Sequence, residues 1–433
     1  MTTLTIGYIV IIFLIIFLIA GLQIGVAMGL LGFVGIAMLS GWSAALGVLK
    51  TVPYPTLTDY GFSVIPLFII MGEFCFVAGI SGDLYEAAHK FLGNLRGGLA
   101  MATIGACSGF AAVSGSSVAT AATIGTIALP QMKKYKYDPA LAAGTVAAGG
   151  TIGVLIPPSV SMVVYGIITE QSIGKLFLAG FVPGVIQALL FIGAISIICF
   201  FNPYAGPPGP GTTVWEKIRA LKSVGIIIIL FLLVIGGLYT GIFSPTEAAG
   251  VGACGAFVFA LFKKRLNWEK FSTALTNSVK TAAMIFFILV GSMVFGYFLA
   301  ISRLPSQLMQ FLADLHMNKF LVWGIIMTIY LFLGCIMDAL AMIVLTVPIT
   351  FPVITALGFD PIWFGIMVVI LGEAGMITPP VGINVFIIKG IASDVPTITI
   401  FRGIFPFVLV DVCLLILFTI WPQIVLVLPA AMK

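Results

Sequence analysis

Apolar stretches about as long as a bilayer is thick recur along this chain, and its polar residues fall mainly in the gaps between them. A helix needs about 20 apolar residues to cross a membrane, so the pattern predicts an all-α polytopic membrane protein. Residues 4–39 are apolar over nearly twice that length, interrupted at Gly21-Leu22-Gln23, and predict two spans joined by a tight turn. A polar connection with Pro53 and Pro55 leads to a third span, from Phe62 to Gly79. Between Asp83 and Arg96 the period changes. There Leu84, Ala87, Ala88 and Phe91 alternate at helical spacing with Glu86, His89 and Lys90, which predicts an amphipathic arm helix over 82–97 at the membrane surface.

Residues 98–130 are too polar at their centre for a lipid-facing span, and predict a re-entrant helical hairpin with Ser114-Gly115-Ser116-Ser117 at its tip. The basic run Lys133-Lys134-Tyr135-Lys136 closes it, and a broken span (139–169) and a further span (176–200) follow. A linker over 201–222, opening with the Pro/Gly-rich stretch Asn202–Gly211, divides the chain into repeats 1–200 and 223–433. The second repeat replays the first. It has scaffold spans over 223–300, two of them around Ser244-Pro245-Thr246-Glu247 and the third over 281–300. An arm helix (303–319), a hairpin (320–352), a broken span (361–390) and a last span (404–428) complete it.

The breaks carry the functional signal. Gly149-Gly150-Thr151-Ile152-Gly153 followed by Pro157-Pro158 cannot continue a helix, because proline lacks the N–H and clashes with the preceding turn. In hydrocarbon the freed carbonyls are costly unless they face protein, water or an ion. An offset of 222 residues carries Pro130 onto Pro352, Asp138-Pro139 onto Asp360-Pro361, Gly150 onto Gly372, Gly153 onto Gly375 and Pro157-Pro158 onto Pro379-Pro380. It also carries Ser116 onto Asp338. Paired Gly/Pro-interrupted segments in two halves point to the binding site of a secondary transporter.

Composition narrows the class. With 61% hydrophobic and 8% charged residues, a soluble globule is excluded. The net charge of +5 sits in short loops and gives no reason to expect nucleic acid. Cys75, Cys107, Cys199, Cys254, Cys335 and Cys413 lie in apolar runs without metal-type spacing and read as structural thiols. Placing 90–96, 133–136, 217–222, 263–280 and 389–402 on one side gathers fifteen of the twenty Lys and Arg there. The positive-inside rule makes that side cytoplasmic. The two repeats then enter the membrane from opposite sides, so they have inverted topology, with one hairpin opening to each face.

Na⁺ is a hard cation suited to carbonyl and hydroxyl oxygens. Ser114, Ser116 and Ser117 at the first tip face carbonyls around Gly153, Ile156 and Pro158, while Asp338 at the second tip faces Gly375, Thr378 and Pro380. Small residues also permit close helix packing, but their placement opposite a Gly…Pro-Pro break, twice, favours ion sites. Asp338 lies in a nearly apolar run, where a carboxylate is expensive and marks function. Glu73, Glu247, Glu373 and Asp411 are further acids in or near spans, Glu247 reading as first-turn helix chemistry after Ser244-Pro245. His89 and His316 fall in the arm helices and read as solvated. With no His at membrane depth to activate a serine, and no phosphate loop, the chain does not read as an enzyme.

Ala78-Gly79-Ile80-Ser81-Gly82-Asp83-Leu84, Ser114-Gly115-Ser116-Ser117-Val118-Ala119-Thr120, Ile156-Pro157-Pro158-Ser159, Ser244-Pro245-Thr246-Glu247-Ala248-Ala249 and Thr378-Pro379-Pro380-Val381-Gly382-Ile383-Asn384 occur in that order. Together they resemble the large membrane subunit of TRAP (tripartite ATP-independent periplasmic) transporters over essentially the whole chain. The resemblance implies an elevator-type secondary transporter of the bacterial inner membrane, with hairpins and broken spans moving against a scaffold. It implies Na⁺-driven uptake of an organic acid delivered by a periplasmic binding protein, and no organic cofactor. A small four-helix membrane subunit, expected here as a separate polypeptide, would brace the scaffold. By the resemblance, Ser114, Ser116, Gly153, Ile156 and Pro158 would bind one Na⁺, and Asp338, Gly375, Thr378 and Pro380 another. Asn384, with Ser117 and Ser159, is the candidate lining of the substrate site. A stand-alone Na⁺/dicarboxylate carrier of similar fold, and a channel or scaffold subunit without a transport cycle, remain open alternatives.

Overall fold

The computed structural model describes residues 3–209, 211–307, 310 and 317–432. Among them all regular structure is helical. Helices α1 (Thr3–Ile19) and α2 (Ile24–Ser40) turn at Gly21-Leu22-Gln23. The connection that follows is itself helical rather than simply polar. It contains α3 (Trp42–Thr51), α4 (Pro53–Thr58) and a 3₁₀ turn over Tyr60–Ser63, ahead of α5 (Val64–Val77). Pro53 sits in the first turn of α4, where its missing N–H would have had no helical partner.

The arm helix α6 runs over Ile80–Leu92, shorter than the sequence pattern suggests, because the chain turns at Gly93–Gly97. It is also less exposed than an amphipathic surface helix should be. The linker after residue 201 folds back over its end: Gly209 N–H donates to Gly93 O at 2.8 Å, Gly97 N–H to Gly206 O at 2.7 Å, and Thr212 Oγ1 to Lys90 O at 2.7 Å. His89 is thereby half-buried, its Nε2 enclosed without a hydrogen-bond partner, and the expectation of a solvated histidine does not hold. His316 and much of the second arm helix (303–319) lie outside the described residues.

The first hairpin is α7 (Gly98–Ser114) and α8 (Ser117–Lys134), the second arm continuing through Pro130. Helices α9 (Pro139–Leu155) and α10 (Val160–Ile168) form the broken span, bent by 42°. Asp138 caps α9 by accepting from Ala140 N–H at 2.7 Å, which places Pro139 at the tolerated first position. Helix α11 (Ile173–Phe201) ends the half. Helix α12 begins at Val214, inside the expected linker, because Thr213 and Glu216 form a reciprocal capping box, and it runs to Tyr239. Ser244 and Glu247 start α13 (Pro245–Phe262) the same way.

Helix α14 is a single 35-residue rod, Trp268–Ser302, so the expected loop over 263–280 is largely helix, with Asn267 as its cap. The second hairpin is α15 (Lys319–Gly334) and α16 (Ala339–Ala356), and the second broken span is α17 (Pro361–Met376) and α18 (Ile383–Ile391). The expected last span 404–428 is two helices, α19 (Thr397–Ile420) and α20 (Gln423–Ala431), separated at Trp421-Pro422. Proline cannot donate to the ladder, and the break falls there. Among the described residues seven helices are long and apolar enough to cross a membrane, eight if α9 and α10 count as one span.

Two packing features position the site. Helices α2 and α14 meet through glycines: a Cβ on Gly291 would lie 2.2 Å from Gly25 O, and one on Gly32 2.9 Å from the Phe295 Cα. Gly291→Ala should therefore lower the thermal midpoint in detergent through overpacking of about 1–3 kcal/mol. Gly296→Ala on the same helix, whose Cβ would meet open space, should not. The halves are also pinned together by side chains: Tyr165 O–H donates to Pro361 O at 2.6 Å, Asn384 Nδ2 to Ser117 Oγ at 2.8 Å, and Gln187 Nε2 to Asp411 Oδ1 at 2.8 Å.

Candidate cation and substrate site

At the first tip α7 ends on Ser114, and Gly115 turns the chain at φ +61°, a region open to glycine without strain. Ser116 is extended, and its Oγ caps α8 by accepting from Ala119 N–H at 3.3 Å. Its carbonyl oxygen is what faces the break. Ser114 Oγ lies 3.1 Å from Ser116 O and 2.9 Å from Thr120 Oγ1. On the other side α9 stops at Leu155, Ile156 is extended, the Pro157–Pro158 bond is cis, and Ser159 Oγ caps α10. The two pieces touch: a Cβ on Gly153 would lie 2.6 Å from Thr120 Oγ1 and 2.9 Å from Ser116 O, and one on Gly115 would lie 2.7 Å from Pro158 O. Ser114, Ser116, Gly153 and Pro158 are thus brought together, sealed from solvent on the α9 side. Ile156 adjoins them, its side chain against Gly184 of α11. Thr120 belongs to the same cluster, although sequence reasoning left it out. Its place four residues, about one helical turn, past Ser116 was the available signal.

The second region has the same parts in a looser arrangement. Asp338 Oδ1 caps α16 by accepting from Ala341 N–H at 3.2 Å. Gly375 lies against Gly334, where a Cβ would come within 2.5 Å of the Gly334 Cα, and Gly382 N–H donates to Cys335 O at 3.2 Å. Thr378 turns its hydroxyl back onto Ala374 O at 2.6 Å, and its N–H takes Gly375 O at 2.9 Å. Thr378 is half-buried and Pro379 and Pro380 are exposed, whereas Pro157, Pro158 and Ser159 are buried. The Pro379–Pro380 bond is cis, as in the first break.

Both tips open into one cavity of about 390 Å³. Its walls include Ser114–Ala119 and Ser161 from the first repeat, Asp338 and Glu373 from the second, and Glu73 and Asn277 from α5 and α14. Three carboxyl side chains line it, and among the described residues no Lys, Arg or His does. Ser117 lines it too, tied to Asn384, while Ser159 is fully buried behind it. No three His, Cys, Asp or Glu converge among the described residues as they would for a transition metal. Hydroxyls, carbonyls and single carboxylates suit a hard alkali cation instead.

Residues 11–424 match the family described as tripartite ATP-independent periplasmic transporter, DctM component. The chain belongs to this family. It is 35% identical over 404 residues to the C4-dicarboxylate TRAP transporter large permease protein DctM of Pseudomonas aeruginosa, covering 93% of each chain. It is 32% identical to the sialic acid TRAP transporter large permease protein SiaM of Vibrio cholerae, covering 86% of this chain and 87% of that one. An isethionate TRAP transporter permease protein, DctMQ of Oleidesulfovibrio alaskensis, is 34% identical over 87% of this chain but only 59% of its own length. Among solved structures, the YdaH transporter of Alcanivorax borkumensis superimposes with a TM-score of 0.62 at 15% identity, covering 88% of this chain and 89% of that one. That likeness shows the fold alone. The chain is thus a multi-pass membrane component of the DctM type from a tripartite, ATP-independent transporter.

Proposed function

We propose that this permease couples uptake of an organic acid to Na⁺ by an elevator movement across the bacterial inner membrane. The observation that carries the reading is the acidic cavity. An organic anion entering a pocket lined by Glu73, Asp338 and Glu373, with no basic side chain among the described lining residues, is repelled unless cations enter with it. Ser114, the carbonyls of Ser116, Gly153, Ile156 and Pro158, and Thr120 would hold one Na⁺. Asp338 with Gly375, Thr378 and Pro380 would hold the other. A cation drawing Asp338 and the α17–α18 break together would close the looser region as tightly as the first. Occupancy of the tips is thereby linked to movement.

In this reading the hairpins and broken spans, with α11 and α19, travel against a scaffold of α1–α5 and α12–α14. The basic side is cytoplasmic. A small membrane subunit covers part of the scaffold, and a periplasmic binding protein delivers the substrate, as the tripartite description of the family suggests.

Right-side-out vesicles carrying the permease and both partners test this with the anions its relatives are named for: a C4-dicarboxylate, isethionate and sialic acid. One of them should accumulate under an inward Na⁺ gradient and not under an equal K⁺ gradient. Accumulation without the binding protein would favour a stand-alone carrier, and downhill equilibration alone would favour a channel.

A further inference from the structure

Glu373 sits on α17 two residues before the glycine that meets the second tip, and it is 2% exposed. Neither carboxyl oxygen has a hydrogen-bond partner. Glu373 and Ser117 line the same cavity, whose described lining holds no basic side chain. Ser117 is itself held by Asn384: Asn384 Nδ2 donates to Ser117 Oγ at 2.8 Å and lies 3.3 Å from Ala147 O. The other amide atom, Asn384 Oδ1, is also buried and unpartnered, on a residue that is 0% exposed. Three buried acceptor oxygens are thus left without donors, two on Glu373 and one on the Asn384 that holds Ser117. Such groups are costly when left unsatisfied, and more so when charged.

The site breaks the symmetry of the two repeats. The 222-residue offset puts Thr151 opposite Glu373 and Ala339 opposite Ser117, and beyond the Pro-Pro breaks, where one extra residue makes the offset 223, Ser161 falls opposite Asn384. The first repeat therefore has no carboxylate at this place, and the pair of symmetric cation clusters does not account for Glu373.

We propose that Glu373, with Ser117 and the carbonyl oxygen of Asn384, binds a third monovalent cation, and that the carboxylate of the substrate is held through it. A cation here satisfies the orphaned oxygens and neutralises the one wall charge that the two tip clusters leave uncovered on the transport side. It also gives an anionic substrate a positive partner in a cavity whose described lining holds no basic side chain. The inference rests on the Na⁺-coupled reading and adds to it the ion that touches substrate.

Equilibrium binding of ²²Na⁺ to the purified permease separates the two. Saturation should give three Na⁺ per chain in the wild type and two in Glu373→Gln. Glu373→Asp, which keeps the charge on a shorter stem, should restore the third with affinity weakened about tenfold or more. It also serves if the Gln variant does not fold. A wild type that binds two Na⁺, or a Glu373→Gln protein that binds as many as the wild type, overturns the third site and leaves the coupled reading standing. A wild type that binds none overturns both.

Discussion

Asp338→Asn should leave the permease folded and abolish its Na⁺-driven uptake. The side chain has two separable duties. Its Oδ1 caps α16 by accepting from Ala341 N–H, a duty asparagine performs as well as aspartate. Its charge, in the wall of the cavity, is the one fixed negative charge of the second cation cluster. Asparagine keeps the first and removes the second, so the Na⁺ concentration for half-maximal uptake should rise by about tenfold to a hundredfold and accumulation should vanish at ordinary Na⁺. Asp338→Ala should lose the same transport and in addition about 1 kcal/mol of stability with the cap. Uptake assays beside thermal melts of the two variants separate these duties. Equal transport in wild type and Asp338→Asn would remove Asp338 from ion coupling.

Gly403→Ala should be the most damaging single methyl group in the protein. A Cβ there would lie 1.8 Å from Ala140 O and 2.4 Å from the Ala140 carbonyl carbon, both backbone atoms that no rotamer change can move. The contact is reciprocal, because a Cβ on Gly144 would lie 2.3 Å from the Gly403 carbonyl carbon. Helices α9 and α19 therefore touch backbone to backbone, as small residues allow in membranes. This seam fixes α9, which carries Gly153 and leads into Pro158, to α19 of the second repeat. Separating the helices by the width of a methyl group should cost about 3 kcal/mol or more. It should appear as low yield and a thermal midpoint well below wild type. Gly390→Ala, with nothing near its Cβ, is the control expected to melt as wild type does.

Much of this architecture was legible because its signals are local. Pro157-Pro158 and Pro379-Pro380 end helices wherever they occur, and Asp138-Pro139 and Asp360-Pro361 start them, so both broken spans could be placed from sequence. Capping boxes hide inside polar stretches, so the early start of α12 at Val214, capped by Thr213, was missed. The continuous helix α14 was missed for a similar reason. Its first turns are polar, and a hydropathy reading sees a loop until Thr281. The burial of His89 depends on a loop more than a hundred residues away folding over α6, which no periodicity reports. At the site, the residue types near the tips were visible, but which atom of each takes part was not. Ser116 turns its hydroxyl to the helix cap and its carbonyl to the break, so Thr120 is the side chain whose loss is most informative.

The coupling of Na⁺ to these tips is tested most directly by thermal stability of the purified permease, titrated with NaCl, KCl or choline chloride at constant ionic strength. A ligand that binds only the folded state stabilises it by about 2.7 kcal/mol at a hundredfold excess over Kd. The account predicts a Na⁺-specific rise in the midpoint that shrinks in Thr120→Val and in Asp338→Asn. Three superimposed salt curves in the wild type would contradict it.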